Sequence, residues 1–195
     1  PKVTEAIKSQ LDTIHAHHIF DPFTNDLAET LAAEIADRAP MPDSKVFFAQ
    51  SGSEAVDTAL KLARAAQAQA GHLEKTLVVS RTNGYHGTAY GGTSAQGFPE
   101  YREGWGELIP GHIHVPGDDV EALARVFAER GAEIAAVITE PVQGERLARM
   151  ALSKEFYLKA RELTLAHESM LIVDSVQAAG RAYGSLSFLN SEEFK

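Results

Sequence analysis

Four short stretches bring together residue types that can do chemistry. Ser51-Gly52-Ser53-Glu54 sets two hydroxyls and a flexible glycine ahead of a helical pattern, with Ser51 and Glu54 at capping-box spacing. Such a segment either caps a helix or presents backbone N–H groups to an anion at the positive end of that helix, phosphate being the usual occupant. Tyr85-His86 offers two flat rings that can stack on an aromatic ligand. Glu140 and Asp174 each close an apolar run, and a carboxylate at such a position is partly desolvated and seeks a cation. A protonated pyridine nitrogen would suit Asp174, since a nearby anion raises that nitrogen's pKa. Taken singly, Tyr85 is equally a half-buried aromatic and Asp174 equally the cap of the turn that follows it.

Other constellations are missing or weak. The sequence has no Gly-x-x-x-x-Gly-Lys, no Gly-x-Gly-x-x-Gly after a strand and no Gly-x-Ser-x-Gly elbow. His15, His17 and His18 are spaced for no helical ligand face, so they read as a polar helix end rather than a metal site.

The elements that must position these residues follow from apolar spacing. Val3, Ile7, Leu11 and Ile14 predict an opening helix, and Asn25 caps a second with Leu27, Leu31 and Ile35 on one stripe, ended by Pro40 and Pro42. Strands are predicted at 46–49, 76–80, 112–115, 134–138 and 170–173, and helices at 54–70, 119–130 and 153–167. A Gly-rich stretch occupies 84–97. Near-continuous apolar strands alternating with helices predict a three-layer α/β/α fold with a mainly parallel sheet covered on both faces. In such sheets ligands sit beyond the carboxyl ends of the strands, where the four stretches fall. We expect N-terminal helices over 1–45 leading into a large α/β domain over 46–195.

Composition narrows the class. In 195 residues there are 27 Asp+Glu against 18 Lys+Arg, a net charge of −9, which argues against nucleic-acid or anionic-membrane partners. There is no cysteine, which excludes a disulfide scaffold or a thiol nucleophile. The apolar runs are too short to span a bilayer, and no secretion signal is evident, so a soluble cytoplasmic protein is expected.

The order of the motifs carries more than any one of them. Phe47 to Val56, Asn83-Gly84-Tyr85-His86-Gly87-Thr88, Thr139-Glu140-Pro141-Val142-Gln143-Gly144-Glu145 and Leu171 to Gln177 together resemble the class III (ω-amino-acid) aminotransferases, fold type I pyridoxal-phosphate enzymes. The resemblance implies a pyridoxal 5'-phosphate cofactor with Ser51, Gly52 and Ser53 at its phosphate and Tyr85 stacked on its ring with His86 beside it. Asp174 would hold the ring nitrogen, Val176 would be a further contact, and Gln177 would reach the ring hydroxyl. Glu140 would lie at the substrate end. The implied reaction moves an amino group from an amine or ω-amino acid to a keto acid, in a homodimer.

Three features depart from the family pattern. Ser175 stands where Glu is usual after the Asp, Arg181 is displaced by one place in the following turn, and Arg146-Leu147 replaces a Gly-Gly pair. The lysine that bonds the cofactor has no counterpart among Lys2, Lys8, Lys45, Lys61, Lys75, Lys154, Lys159 or Lys195, and the resemblance puts it beyond Lys195. The sequence therefore reads as the cofactor-binding portion of such an enzyme. The alternatives are a catalytically silent module of the same fold with a binding or assembly role, or an isomerase or racemase on the same cofactor.

Overall fold

The computed structural model describes residues 1–18, 20–144, 150–182 and 184–190. Expectations at Tyr183, at Glu145, Arg146 and Leu147, and over 191–195 lie outside the described residues. The chain divides into two units, Pro1–Phe47 and Phe48–Lys195.

The first unit holds α1 (Lys2–Thr13) and α2 (Asp26–Asp37). The Asn25 side chain accepts the Ala28 N–H at 2.9 Å, the capping bond that its position predicts. After α1, the rings of His17, His18 and Phe23 cluster edge to face. Among the described residues no group of three or more His, Asp or Glu is arranged to hold a metal ion.

The second unit begins with α3 (Gly52–Gln69) and continues with β1 (Leu77–Arg81), a short α4 (Tyr90–Ala95) and β2 (His112–Val115). Then come α5 (Val120–Arg130), β3 (Ile134–Thr139), a small β4–β5 hairpin (Val142–Gln143 with Met150–Ala151), α6 (Lys154–Ala166) and β6 (Met170–Val173). The four long-range strands form one parallel sheet in the order β2-β1-β3-β6. Central β1 and β3 are buried along their whole length, which is why β3 reads as an apolar run to Ile138 and β1 opens on Leu77-Val78-Val79. On one face Val78 and Ile138 pack against Val56 and Leu60 of α3 and Ala95 of α4. On the other, Val79 and Val137 meet Leu123 and Phe127 of α5 and Phe156 and Ala160 of α6. Three layers result, with the strand ends of β1, β3 and β6 opening on the same edge.

The structure corrects one sequence expectation and adds an element that none covered. Val46–Ala49 forms no strand; Phe47 is 70% and Phe48 40% exposed. β propensity is expressed only where a neighbour accepts the ladder bonds, and this segment has none among the described residues. In the Gly-rich stretch, α4 forms despite Gly91 and Gly92. Its Gly92 N–H donates to Asp57 Oδ1 of α3 at 2.9 Å, which ties the short helix to α3.

Candidate functional site

Each candidate side chain enters the site from a strand end or a helix start. Ser51 caps α3 by accepting the Glu54 N–H at 3.2 Å, and Glu54 Oε2 reaches back to the Gln50 N–H at 2.8 Å. The cap occupies Ser51, which does not line the cavity, whereas Gly52 and Ser53 do. Ser53 Oγ accepts the Thr88 N–H at 3.0 Å, which leaves its own proton to be donated. Gly87 makes this approach possible. Its φ is +91°, and a Cβ there would lie 2.5 Å from Ser53 Oγ. The result is a cradle of N–H and O–H donors at the start of an 18-residue helix.

The acidic end is built from three buried groups. His86 Nδ1 lies 3.0 Å from Asp174 Oδ2, with the side chains 1% and 7% exposed. Asp174 being the acceptor, Nδ1 carries the proton. Asp174 Oδ1 accepts the Val176 N–H at 3.2 Å, and the Asp174 N–H donates to Thr139 O at 2.8 Å, which ties the carboxylate to the ends of β3 and β6. Glu140 is 4% exposed and accepts the Tyr85 N–H at 2.9 Å. Burial pushes its carboxyl up to about 7, further raised by Asp174 and opposed by His86, Arg81 and the Tyr85 bond.

These groups line one cavity of about 220 Å³: Gly52, Ser53, Tyr85, His86, Glu140, Asp174, Val176 and Gln177 among them. All the site residues read from sequence therefore converge except Ser51. A planar cofactor with a phosphate at one end and a ring nitrogen at the other fits this donor set. The cradle is electropositive without carrying a formal charge, and Asp174 keeps a lone pair on each oxygen.

Residues without a role in the sequence reading also support the site. Arg81 is 2% exposed and binds Asp118 Oδ1 at 2.9 Å and the Glu140 carbonyl at 3.3 Å, fixing the chain where Glu140 leaves β3. Arg181, displaced from the family's usual place, donates to Gln177 Oε1 at 3.2 Å. Tyr101 meets the Tyr85 ring edge-on, centroids 6.0 Å apart. A charged residue ending a buried strand was the one available signal for Arg81; the others depend on spatial contact.

An anion cradle and a buried carboxylate at the ends of a parallel sheet define an α/β cofactor-binding protein. The class III aminotransferase family matches residues 1–186, and the chain belongs to that family. It is 37% identical over 186 residues to an acetylornithine aminotransferase of Bacillus cereus, covering 95% of this chain and 45% of that protein. With the enzyme of the same description from Aquifex aeolicus the identity is 34%, over 91% of this chain and 45% of the other. Among solved structures, a transaminase from the marine bacterium Virgibacillus superposes with a TM-score of 0.90 at 28% identity, covering 99% of this chain and 45% of that one. An amine transaminase from an uncultivated Pseudomonas species, in its PLP-bound form, gives 0.79 at 30% identity over 91% and 44%. The chain thus spans a little under half the length of the curated relatives it matches. The family's cofactor is pyridoxal phosphate.

Proposed function

We propose that this chain is the cofactor-binding portion of a pyridoxal-phosphate-dependent aminotransferase that moves an amino group from an amine or ω-amino acid to a keto acid. The observation that carries it is the buried Asp174–His86 pair lining the same cavity as the Gly52–Ser53 helix start and Tyr85. Bound there, pyridoxal phosphate supplies the electron sink that lets a bond at the donor's α-carbon ionise.

The chain's own residues do the rest. Gly52 and Ser53 hold the phosphate with N–H and O–H donors at the helix start. Asp174, oriented by His86, would keep a proton on the ring nitrogen, and Tyr85 would cover the ring. Gln177, whose carbonyl oxygen accepts from Arg181, would offer its amide N–H to the ring oxygen. Glu140, neutral below about pH 7, lies beside the reacting end and can exchange a proton near neutrality. Burial of Asp174, Glu140 and His86 excludes water from these groups. The covalent lysine is proposed to come from the remainder of a longer enzyme, acting as a homodimer in the cytoplasm on an amino donor and a keto-acid acceptor. Among the described residues no helix is long and apolar enough to cross a membrane.

The test is titration with pyridoxal phosphate, followed by its visible absorbance. We expect saturable binding that inorganic phosphate displaces and that Ser53→Ala weakens about tenfold, the loss of one charge-assisted hydrogen bond. In the full-length enzyme Asp174→Ala should abolish nearly all turnover. Equal, mild effects from both substitutions would contradict the roles assigned.

A further inference from the structure

We propose that Asp57, in the second turn of α3, is a positioning residue for the phosphate end of the site. It seats α4 so that the Thr88 N–H stays on Ser53 and the Ser53 hydroxyl keeps its proton for the phosphate. The inference rests on the aminotransferase function above and adds to it a residue that does not itself line the cofactor cavity.

Two acceptors one turn apart on α3 meet two donors four residues apart in the segment that follows β1. Ser53 Oγ accepts the Thr88 N–H at 3.0 Å, and Asp57 Oδ1 accepts the Gly92 N–H at 2.9 Å. Residues at i and i+4 share a helix face, so both bonds leave α3 on the same side. Thr88 directly precedes Ala89, the N-cap of α4, and that cap makes no side-chain hydrogen bond. The Gly92 N–H is one of the first-turn donors that a helix leaves open, and Asp57 takes it from outside. Close packing holds this bond in place. A Cβ on Gly91 would fall 2.6 Å from Asp57 Oδ1, and one on Gly92 would fall 2.2 Å from the His86 carbonyl oxygen. Seated between Asp57 and the His86 backbone, α4 has little room to slide, and Thr88 is held with it. The Ser53 proton has a competing acceptor at hand in Thr88 Oγ1, 3.5 Å from Ser53 Oγ. Holding Thr88 there keeps that bond long and weak, so the proton is left for the phosphate. A carboxylate accepting a backbone N–H is the stronger, charge-assisted kind of bond, and its loss frees α4 to shift along α3.

The chain and its variants are titrated calorimetrically with inorganic phosphate, with pyridoxal phosphate and with pyridoxal, which lacks the phosphate. Asp57→Ala, its fold checked by circular dichroism, should weaken both phosphate ligands about tenfold, the worth of one charge-assisted hydrogen bond. Pyridoxal affinity should not change, since Asp174 and Tyr85 are held by His86 and Glu140. Asp57→Asn, whose amide oxygen still accepts the Gly92 N–H, should stay within about threefold of wild type. In a Ser53→Ala background, Asp57→Ala should add less than about a twofold loss, because it acts through that hydroxyl. Should Asp57→Ala fail to fold, Asp57→Glu replaces it, the extra methylene moving the acceptor out of register with Gly92, with the same losses expected. Equal losses for pyridoxal and the two phosphate ligands mean a loosened fold and overturn the proposal. So does full additivity with Ser53→Ala, or an Asn variant as weak as the Ala variant. A chain that binds pyridoxal phosphate equally well with and without Asp57 sinks this proposal alone. One that shows the expected pattern with inorganic phosphate but binds no pyridoxal phosphate sinks the proposed function and leaves the role of Asp57 standing. Binding of neither phosphate ligand by the wild type sinks both.

Discussion

At the scale of single residues, the acidic end of the site depends on how Asp174 is held. Its carboxylate is nearly solvent-free, and one oxygen relies on His86 Nδ1 for its hydrogen bond. Leaving a buried carboxylate short of a donor costs more than the bond itself is worth. We therefore expect His86→Phe to weaken pyridoxal phosphate binding, because the Asp174 carboxylate then loses the donor that fixes its orientation toward the ring nitrogen. His86→Asn, whose amide can still donate, should recover much of the loss. The measurement is pyridoxal phosphate titration at one pH: the Phe variant should bind more weakly than wild type and the Asn variant nearly as well as wild type. Equal losses in the Phe and Asn variants would mean that the hydrogen bond to Asp174 is not what His86 contributes.

At the scale of elements, glycine and ion-pair positions set the geometry between segments. Gly87 joins the β1 end to α4 at a left-handed φ and lets Thr88 reach Ser53. Gly87→Ala should destabilise the fold by about 2 kcal/mol from backbone strain alone. It should weaken phosphate binding as well, because Ser53 must move. Urea unfolding and phosphate titration on one variant separate the two effects. The Arg81–Asp118 pair predicts an asymmetry. Arg81 is 2% exposed and Asp118 25%, so Asp118→Ala strands a buried guanidinium whereas Arg81→Met leaves a carboxylate with access to water. Asp118→Ala should cost about 3 kcal/mol or more and Arg81→Met distinctly less, by urea unfolding.

The same scale explains what the amino-acid sequence made legible. Caps at Asn25, Ser51, Asp119 and Ser153 and the apolar runs of β1 and β3 are local signals, and each produced its element. Ser53, Tyr85, His86, Glu140, Asp174 and Gln177 could be found because a parallel sheet gathers strand ends on one edge. α4 could not, because two glycines argue against a helix and its start has no side-chain cap. Its support is Asp57, 35 residues away. Thr88, Arg81 and Tyr101 likewise act across distances in sequence that local pattern does not encode. The 46–49 run carried the propensity of a strand but not the partner.

At the scale of the whole molecule, a buried carboxyl just past β3 and a half-buried histidine on β2 give the folding equilibrium an opposed pH dependence. Glu140, facing His86, Asp174 and Arg81, is raised from 4.5 to about 7 by burial first, so its contribution is full below pH 4.5 and is lost as pH rises through about 7. His112, facing Arg64, His114, Arg102 and His86, is lowered from 6.5 to about 4, again by burial first. The unfolded chain takes up that proton first, so stability is present above pH 6.5 and is lost as pH falls toward 4. Between pH 4.5 and 6.5 the two slopes run in opposite directions, each about 1.4 kcal/mol per pH unit at most, and nearly cancel. Wild-type stability from these groups should be flat across that window. Glu140→Gln should expose the histidine slope, with stability climbing up to pH 6.5 and then levelling. His112→Phe should expose the carboxyl slope, with stability falling from pH 4.5 toward 7. Urea midpoints at half-unit pH steps read both. Profiles that stay parallel to wild type in either variant would mean that the corresponding group does not titrate with folding.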